Sequence, residues 1–419
     1  MLKRKIKSID LFAGCGGLLD GFEQSEHYQT VAAVEWEKIP CYNLIKRLET
    51  KWKFKDAEKR VLQFDIQRTE ELFHGWKNDI KYDSSNGLDE LIYAANGIDI
   101  IIGGPPCQAY SIAGRVRDEN GMRDDYRNYL FESYLKVVER YRPKMFVFEN
   151  VPGILTAKPG GKKIINVIKK SFEDAGYILF TDLKKAVIDF TEYGVPQNRK
   201  RIIIFGVQKD FYGEQISKEI VEKFYTEYLP KYKVKEKMTV RQAIGDLPKL
   251  YPLKNVQKYN GKKLSHSLPQ PFVENHIPRW QNERDISIFK LLTEDIESGR
   301  KEYCSTEALK NLYTEKTGKT SSVHKYHVIR WDEQSNLIPA HLYKDGLRHI
   351  HPDSEQSRTL TVREAARLQT FDDDYIFYGS NTDTYKMIGN AVPPKFAKCC
   401  ANAVYDLLKE YGIYSETSM

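Results

Sequence analysis

The sequence is poor in the features that would place it outside a reducing, aqueous setting. Its six cysteines are scattered over 419 residues with no CxxC pair, which excludes a disulfide framework and a zinc ribbon. No stretch is apolar for long enough to read as a membrane span. The basic start MLKRKIKSIDLF carries too short an apolar run for a signal peptide and leads straight into a strand. Glycine and proline are ordinary at 26 and 17 residues, which excludes collagenous and low-complexity classes. The dinucleotide fingerprint GxGxxG is absent from the glycine-dense turn near the start. There is no acidic excess: 65 Lys and Arg against 58 Asp and Glu give a net charge of +7, which permits a polyanionic partner. A soluble intracellular chain of two or three domains is expected, with 41% hydrophobic residues to fill its cores.

What is present is organised around Gly103-Gly104-Pro105-Pro106-Cys107-Gln108-Ala109-Tyr110-Ser111. The apolar run 98–102 before it reads as a buried parallel strand. Two glycines permit a sharp turn and a close approach, and two prolines stiffen the path. Cys107 then stands at the carboxyl end of a strand, where open α/β sheets carry their chemistry. By itself this reads equally as a positioned nucleophile or as a tight turn holding a small apolar residue.

Its company separates the two. Residues 6–12 read as a first strand, Ala13-Gly14-Cys15-Gly16-Gly17 as a glycine turn and 18–24 as a helix, the shape of a nucleotide-binding crossover. Residues 31–34 form a second strand ending in Glu35-Trp36. An acid there is placed to take ribose hydroxyls, with Trp36 against a purine face; a solvated Glu beside a core Trp is the plain alternative. Residues 61–64 form a third strand followed by Asp65, which could accept from an adenine amino group. Residues 67–97 read as a helix and surface loop. Residues 111–126 have no periodicity and carry Arg115, Arg117 and Arg123, as an active-site lid would. A helix over 128–141 leads to a strand at 145–148 that delivers Glu149 to the same edge as Cys107. A helix over 162–175 and a strand over 177–186 follow. In a strand starting near 199, Arg199 and Arg201 share one face. Residues 208–330 turn Lys-, Tyr- and Asn-rich; Lys231, Lys233, Lys235 and Lys237 would make one basic strand face or a solvated run. Thr361 and Glu364 form a capping-box pair ahead of a helix carrying Arg363 and Arg367 on one face. Ile388-Gly389-Asn390-Ala391-Val392-Pro393-Pro394 is a second stiff turn before an amphipathic helix over 395–410.

Taken in order, these motifs resemble the DNA (cytosine-5) methyltransferases, especially the bacterial enzymes of restriction–modification systems. The match runs from Asp10-Leu-Phe-Ala-Gly-Cys-Gly-Gly17 through Gly103–Ser111, Glu149-Asn-Val151, Gln197-Asn-Arg-Lys-Arg201 and Arg363–Gln369 to Gly389-Asn-Ala-Val-Pro393. One departure lies at 335–339, where the family's Pro-Thr-Ile-Thr pattern is lost. The resemblance implies a doubly wound, mostly parallel α/β sheet of the S-adenosylmethionine-dependent type with a smaller mixed target-recognition domain. It implies a catalytic and cofactor-binding domain at 1–206, the recognition domain with its hinge at 207–379, and a return to the catalytic domain at 380–419. Cys107 would add to C6 of a flipped cytosine, Glu149 would serve N3, Arg201 the cytosine O2, and Arg199 would hold Glu149 and its loop. S-adenosylmethionine would lie against Phe12, Gly14, Gly16, Gly17, Glu35, Trp36, Asp65, Pro105, Leu130, Asn390 and Val392. Ser111, Arg115 and Arg117 would touch DNA. No metal is implied. The expected partner is double-stranded DNA, with a cognate restriction endonuclease acting on the same site. The chain would act as a monomer, in the bacterial cytoplasm. A tRNA-directed relative would share the chemistry. A non-catalytic DNA-binding module would have no use for Cys107 with Glu149, and a thiol hydrolase would lack a histidine placed near Cys107.

Overall fold

The computed structural model describes residues 5–106 and 130–412. Cys107, Ser111, Arg115 and Arg117, and with them the expected lid, lie outside the described residues. The chain divides into two compact units. The first comprises Met1–Gly194, Arg199–Lys235 and Ala391–Met419, the second Val195–Asn198 and Glu236–Asn390.

The first unit is built on one sheet. Its strands are β1 (Ile6–Leu11), β2 (Tyr28–Glu35), β3 (Val61–Gln63), β6 (Ile100–Gly103), β7 (Met145–Asn150), β8 (Tyr177–Leu179), β9 (Val187–Asp189) and β10 (Lys200–Gln208). A separate hairpin pairs β4 (Trp76–Asp79) with β5 (Asp83–Ser85). The sheet order is β3-β2-β1-β6-β7-β10-β8, with β9 against β10. β3, β2, β1, β6 and β7 run parallel, and β10 runs antiparallel to β7. Ile100, Ile101 and Ile102 are wholly buried, as a parallel strand covered on both faces requires.

This topology sets the site. Five parallel strands end on one edge, and β10 begins there because it runs the other way. The order reverses between β1 and β6, so the crevice of the sheet falls between the glycine turn after β1 and the Gly-Gly-Pro-Pro turn after β6.

The helix Pro394–Glu410 completes this unit. It packs on α1 (Gly17–Gln24), where a Cβ on Gly21 would meet Ala397 Cβ and Pro394 O, each at 2.4 Å. Phe396 stacks on Phe190 with centroids 3.8 Å apart, and the Tyr28 hydroxyl donates to the Ala401 carbonyl at 2.9 Å.

Two expectations are corrected. Residues 177–186 are not one strand: Asp182 accepts from the Lys184 N–H at 3.1 Å and turns the chain between β8 and β9. The lysines at 231–237 make no strand face. Leu229–Tyr232 is a 3-10 turn, Lys231 lies 3.7 Å from the centre of the Tyr228 ring, and Lys233 pairs with Glu192 at 2.6 Å. The first compact unit extends past 206 to Lys235 and resumes at Ala391. The reason is the helix Glu214–Lys223 and the turn after it, which are polar outside but bury Ile220 and Val221. Beyond that helix, the Tyr225 hydroxyl accepts from the Phe205 N–H at 2.9 Å and donates to the Ile203 carbonyl at 2.8 Å. Both partners are backbone groups of β10.

The second unit has a hairpin of β11 (Pro252–Tyr259) and β12 (Lys262–His266), and helices that include Glu283–Glu297, Thr306–Thr317 and Val362–Leu368. Ile288, Phe289, Leu292, Leu312, Tyr326, Val328 and Ile350 form its core cluster. The capping box of Thr361 and Glu364 is formed. Arg358 is fully buried and paired with Glu364 at 2.6 Å, and His351 lies 3.4 Å from the same carboxylate.

Candidate active site

The cofactor side begins where β1 stops. Phe12 has φ of 59° and Gly14 and Gly16 have 56° and 83°, so the chain leaves the strand through three left-handed residues. Glycine takes that conformation freely; Phe does not, and strain at a strand end marks a constrained position. The turn returns the Gly14 N–H to the Glu35 carboxylate at 2.9 Å. The same carboxylate accepts from the N–H groups of Trp36 and Glu37, each at 2.9 Å. Burial raises the Glu35 pKa, and these three donors oppose that rise. Three backbone donors fix the side chain, two on Oε1 and one on Oε2, and Oε2 keeps a lone pair for a ligand hydroxyl.

The fit to an adenosine can be tested on these residues. A Cβ on Gly14 would meet nothing within 4 Å, so the turn faces open space there. Phe12 is half-buried, and Trp36 is 44% exposed. Asp65 follows β3, with one oxygen accepting from the Gln67 N–H at 3.0 Å. An acid for hydroxyls, an acid for an amino group and two accessible rings match the donor set of an adenosine. Gly16 and Gly17 serve packing as well. A Cβ on Gly16 would sit 2.5 Å from Leu44 Cδ1, and one on Gly17 would sit 2.3 Å from the Val392 carbonyl oxygen. Val392 therefore lies at the start of α1. Leu130 opens the helix Leu130–Tyr141 and is buried. Asn390 ends the helix Asn381–Asn390 in the second unit, where a Cβ on Gly389 would strike the backbone of Pro339 at 2.3 Å.

Sequence reading passed over Asp10. It is 2% exposed at the end of β1 and accepts from the Leu19 N–H in the first turn of α1; burial raises its pKa and Glu35 adds to the rise. Its other oxygen has no hydrogen-bond partner among the described residues. A buried acid inside an apolar strand, DLFAG, was the available signal.

The chemical side is built by β6, β7 and β10. A Cβ on Gly103 would lie 2.4 Å from the Leu11 carbonyl oxygen, and one on Gly104 would lie 2.8 Å from Glu149 Oε2. Gly103 is therefore sterically required by a backbone atom, and a side chain at 104 would displace the Glu149 carboxylate. Asn150 Nδ2 donates to the Pro105 carbonyl at 3.3 Å and ties the turn to β7. Glu149 stands opposite Ile203 in the β7–β10 ladder. Two residues earlier on β10, Arg201 is its diagonal neighbour on the same face. The Arg201 Nε to Glu149 Oε1 distance is 2.9 Å, and each side chain is 12% exposed. Arg201 thus takes the partner expected for Arg199. Arg199 is 2% exposed and donates from Nη2 to the Ala391 carbonyl at 2.9 Å. Burial drives its pKa down, Arg201 adds to the fall and Glu149 opposes it. The carboxylate is thereby paired with Arg201 and lies within electrostatic reach of Arg199.

Arg363 and Arg367 have structural partners. Arg363 is wholly buried and donates to the carbonyls of Glu274, Asp372 and Tyr375, and Arg367 pairs with Asp246 and Asp373. Gln197 donates to the Leu368 carbonyl at 2.9 Å and also to Gln369. The stretch 335–339, where a family pattern is lost, is held by this same element: the Ile338 N–H donates to Gln197 Oε1 at 3.1 Å. Among the described residues no three His, Cys, Asp or Glu side chains are placed to hold a metal ion, and no helix is long and apolar enough to cross a membrane.

A parallel sheet carrying an acid-anchored glycine turn on one side of its crevice, and an antiparallel strand returning beside the last parallel one, has the fold of S-adenosylmethionine-dependent methyltransferases. Solved structures share it. A structure described as a prophage-encoded DNA modification methyltransferase of E. coli is 23% identical with a TM-score of 0.59, covering 97% of this chain and all of that one. The Dnmt2 methyltransferase of S. pombe is 14% identical with a TM-score of 0.52, over 97% and 99%. Within that class, residues 6–406 match the model of the C-5 cytosine-specific DNA methylases, and the chain belongs to this family: it is a DNA cytosine-5 methyltransferase. Among its relatives, the type II methyltransferase M.Bpa9945I of Bacillus paralicheniformis is 36% identical, covering 96% of this chain and 98% of its own. The type II methyltransferase M1.HphI of Haemophilus parahaemolyticus is 31% identical over 94% and 86%. The chain is thus a methyltransferase of the type II restriction–modification kind. The family implies S-adenosylmethionine as donor and DNA as substrate.

Proposed function

We propose that the chain methylates C5 of one cytosine in a specific duplex DNA sequence through a bond from Cys107 to C6. The observation that carries this reading is the closeness of Gly104 to the Glu149 carboxylate, whose Oε2 a Cβ at that position would meet at 2.8 Å. The turn leading into Cys107 is pressed against the acid that the reaction needs. Three residue steps lead from Gly104 to Cys107, about 11 Å at full extension, so the thiol would be within reach of the acid.

Cytosine C5 is a weak nucleophile. Addition of the Cys107 thiolate to C6 converts the ring to an enamine, with electron density at C5 and a proton delivered to N3 by Glu149. S-adenosylmethionine supplies the electrophilic methyl group that C5 takes. Loss of the C5 proton to a base then expels the thiolate from C6, and Glu149 recovers the N3 proton. Arg201 fixes the Glu149 carboxylate through Nε. Its terminal nitrogens are suited to the cytosine O2 in the same plane. Arg199 supplies a second positive charge behind that pair. Glu35 would hold the ribose hydroxyls, Asp65 the adenine amino group, and Phe12 and Trp36 the purine faces, with Pro105, Leu130, Asn390 and Val392 as further wall.

The faces of C5 and C6 are covered by neighbouring bases in a duplex, so the target base is flipped out for reaction. Ser111, Arg115 and Arg117 would touch the DNA as their segment closes. Residues 236–390 would read the sequence. The exposed hairpin of β11 and β12 supports this, because Lys254, Lys258, Lys262 and Lys263 lie on it and no acid does. The enzyme would act as a monomer in the bacterial cytoplasm beside an endonuclease of the same specificity. The test is methyl transfer from S-adenosylmethionine to duplex DNA and to tRNA, followed by mapping of the modified bases. 5-Methylcytosine at one recurring duplex sequence is expected; methylation of tRNA with none on DNA refutes the reading.

A further inference from the structure

The chain leaves β7 at Glu149 and Asn150 and carries no further acid until Glu173, while lysines stand at 158, 162, 163, 169 and 170. Three of them sit on one closed loop. The Ile164 N–H donates to the Ala157 carbonyl at 3.1 Å and the Gly161 N–H to the Lys158 carbonyl at 3.0 Å, so residues 158–163 are held with both ends together. Ala157, Pro159 and Ile164 are buried and root the loop, while Lys158, Lys162 and Lys163 are exposed. Among the described residues none of these three is ion-paired, whereas Lys169 and Lys170 pair with Glu173 and Asp174 at 3.8 and 2.9 Å. The helix Ile164–Asp174 follows, and a shallow groove of about 500 Å³ runs along it between Lys162, Lys163, Asn166 and Lys170. Lys169 also donates to the Thr181 carbonyl at 3.1 Å, which ties this helix to the turn between β8 and β9 with its exposed Lys184 and Lys185. β7 and β8 are both antiparallel to β10 and so run the same way. The loop and the turn therefore lie on the edge where Glu149 stands.

A ridge of exposed cations this poor in acids fits a polyanion. Lysine meets phosphate as a point charge and carries no base preference when it does. The loop holds no aromatic side chain, so it offers unpaired bases nothing to stack on and suits a duplex better than a single strand. It grows from the strand that carries the acid assigned to the target base, so a bound duplex brings its backbone to this edge. We propose that Lys158, Lys162 and Lys163 grip the phosphate backbone of duplex DNA beside the flipped cytosine, so that the catalytic unit holds its substrate independently of sequence. The inference rests on the duplex-DNA reading given under the proposed function.

The experiment measures the affinity of the full chain, across a range of salt concentrations, for one duplex that carries the mapped target sequence and one that lacks it. Lys158→Gln, Lys162→Gln and Lys163→Gln combined should lower the slope of log affinity against log salt by about 0.9 per lysine, roughly 2.7 in all. At 0.1 M salt that is a loss on the order of 10²-fold, equal for both duplexes. The same three positions changed to arginine keep their charge and should keep the parent slope. Lys51→Gln, Lys53→Gln and Lys55→Gln combined remove the same charge where the chain re-enters the sheet before β3, on the opposite edge, and should leave the slope unchanged. A parent slope in the loop variant, an equal fall in the variant at 51–55, or a loss confined to the target-bearing duplex overturns the proposal and leaves the DNA reading standing. A parent chain that binds neither duplex removes that reading, and this inference with it.

Discussion

Replacing Gly104 by alanine tests how closely the turn before Cys107 is fitted to its acid. The new Cβ would lie 2.8 Å from Glu149 Oε2, where 3.4 Å begins ordinary contact. One partner must retreat by about 0.6 Å. The turn has little freedom, since Gly103 is in contact with the Leu11 carbonyl and the Pro105 carbonyl is bonded to Asn150. The carboxylate therefore moves, and with it the 2.9 Å contact to Arg201 Nε. Loosening of this ion pair at a mostly buried acid costs about 1–3 kcal/mol, which as transition-state stabilisation is roughly 5- to 150-fold in rate. Single-turnover methyl transfer with DNA and donor both saturating reads this directly. Combining Gly104→Ala with Glu149→Ala removes the atom that is struck, so the double variant should be no slower than Glu149→Ala alone. A Gly104→Ala rate within twofold of the parent, or losses that multiply in the double variant, would refute the steric argument.

Further expectations follow from the same packing. Glu149→Gln should slow single-turnover methylation by about 10²-fold or more, because proton delivery at N3 is lost; an unchanged rate would exclude that role. Gly21→Ala places a methyl group 2.4 Å from both Ala397 Cβ and the Pro394 carbonyl oxygen. It should destabilise the first unit by about 3 kcal/mol in denaturant titration, because a backbone atom cannot move aside cheaply. The second unit should be acid-sensitive. Burial lowers His266 to about 4 and His349 and His351 to about 3. The unfolded chain, with histidines near the usual 6.5, binds the protons that the folded unit refuses. Stability is therefore highest above about pH 7 and falls as pH drops through 6.5 toward these lowered values. The loss by pH 5 is about 2 kcal/mol per histidine. Urea melts at pH 7.5 and 5.0 that coincide would contradict this.

The site was legible in the sequence wherever one strand end supplied a residue by itself. Glu35, Asp65, Gly104 and Glu149 stand at or just beyond the ends of apolar runs, and the parallel topology carries strand ends to one edge. Partners brought by other strands were less legible. Arg199 and Arg201 could be read as one face, but which of them meets Glu149 depends on the β7–β10 register. Arg363 could be placed on a helix face with Arg367, but its three carbonyl acceptors lie up to 89 residues away. The continuation of the first unit past 206 was not visible because residues 214–223 are polar by composition yet bury Ser217, Ile220 and Val221. The β4–β5 hairpin was invisible because β5 has no buried residue and β4 only Trp76, so neither strand shows an alternating apolar face. Its tip was fixed instead by Asp79 and by stacking on Phe64, which no periodicity reports.

The most direct test is chemical trapping. Duplex DNA with 5-fluorocytosine substituted at random leaves no removable proton at C5, so the bond from Cys107 to C6 persists after methyl transfer. Incubation with the chain and S-adenosylmethionine, followed by denaturation and intact mass analysis, should give a protein–DNA adduct carrying one added methyl group. Peptide mapping should place the bond at Cys107, and Cys107→Ser should give none. Absence of any adduct under conditions where ordinary DNA is methylated, or attachment at another residue, would contradict the mechanism.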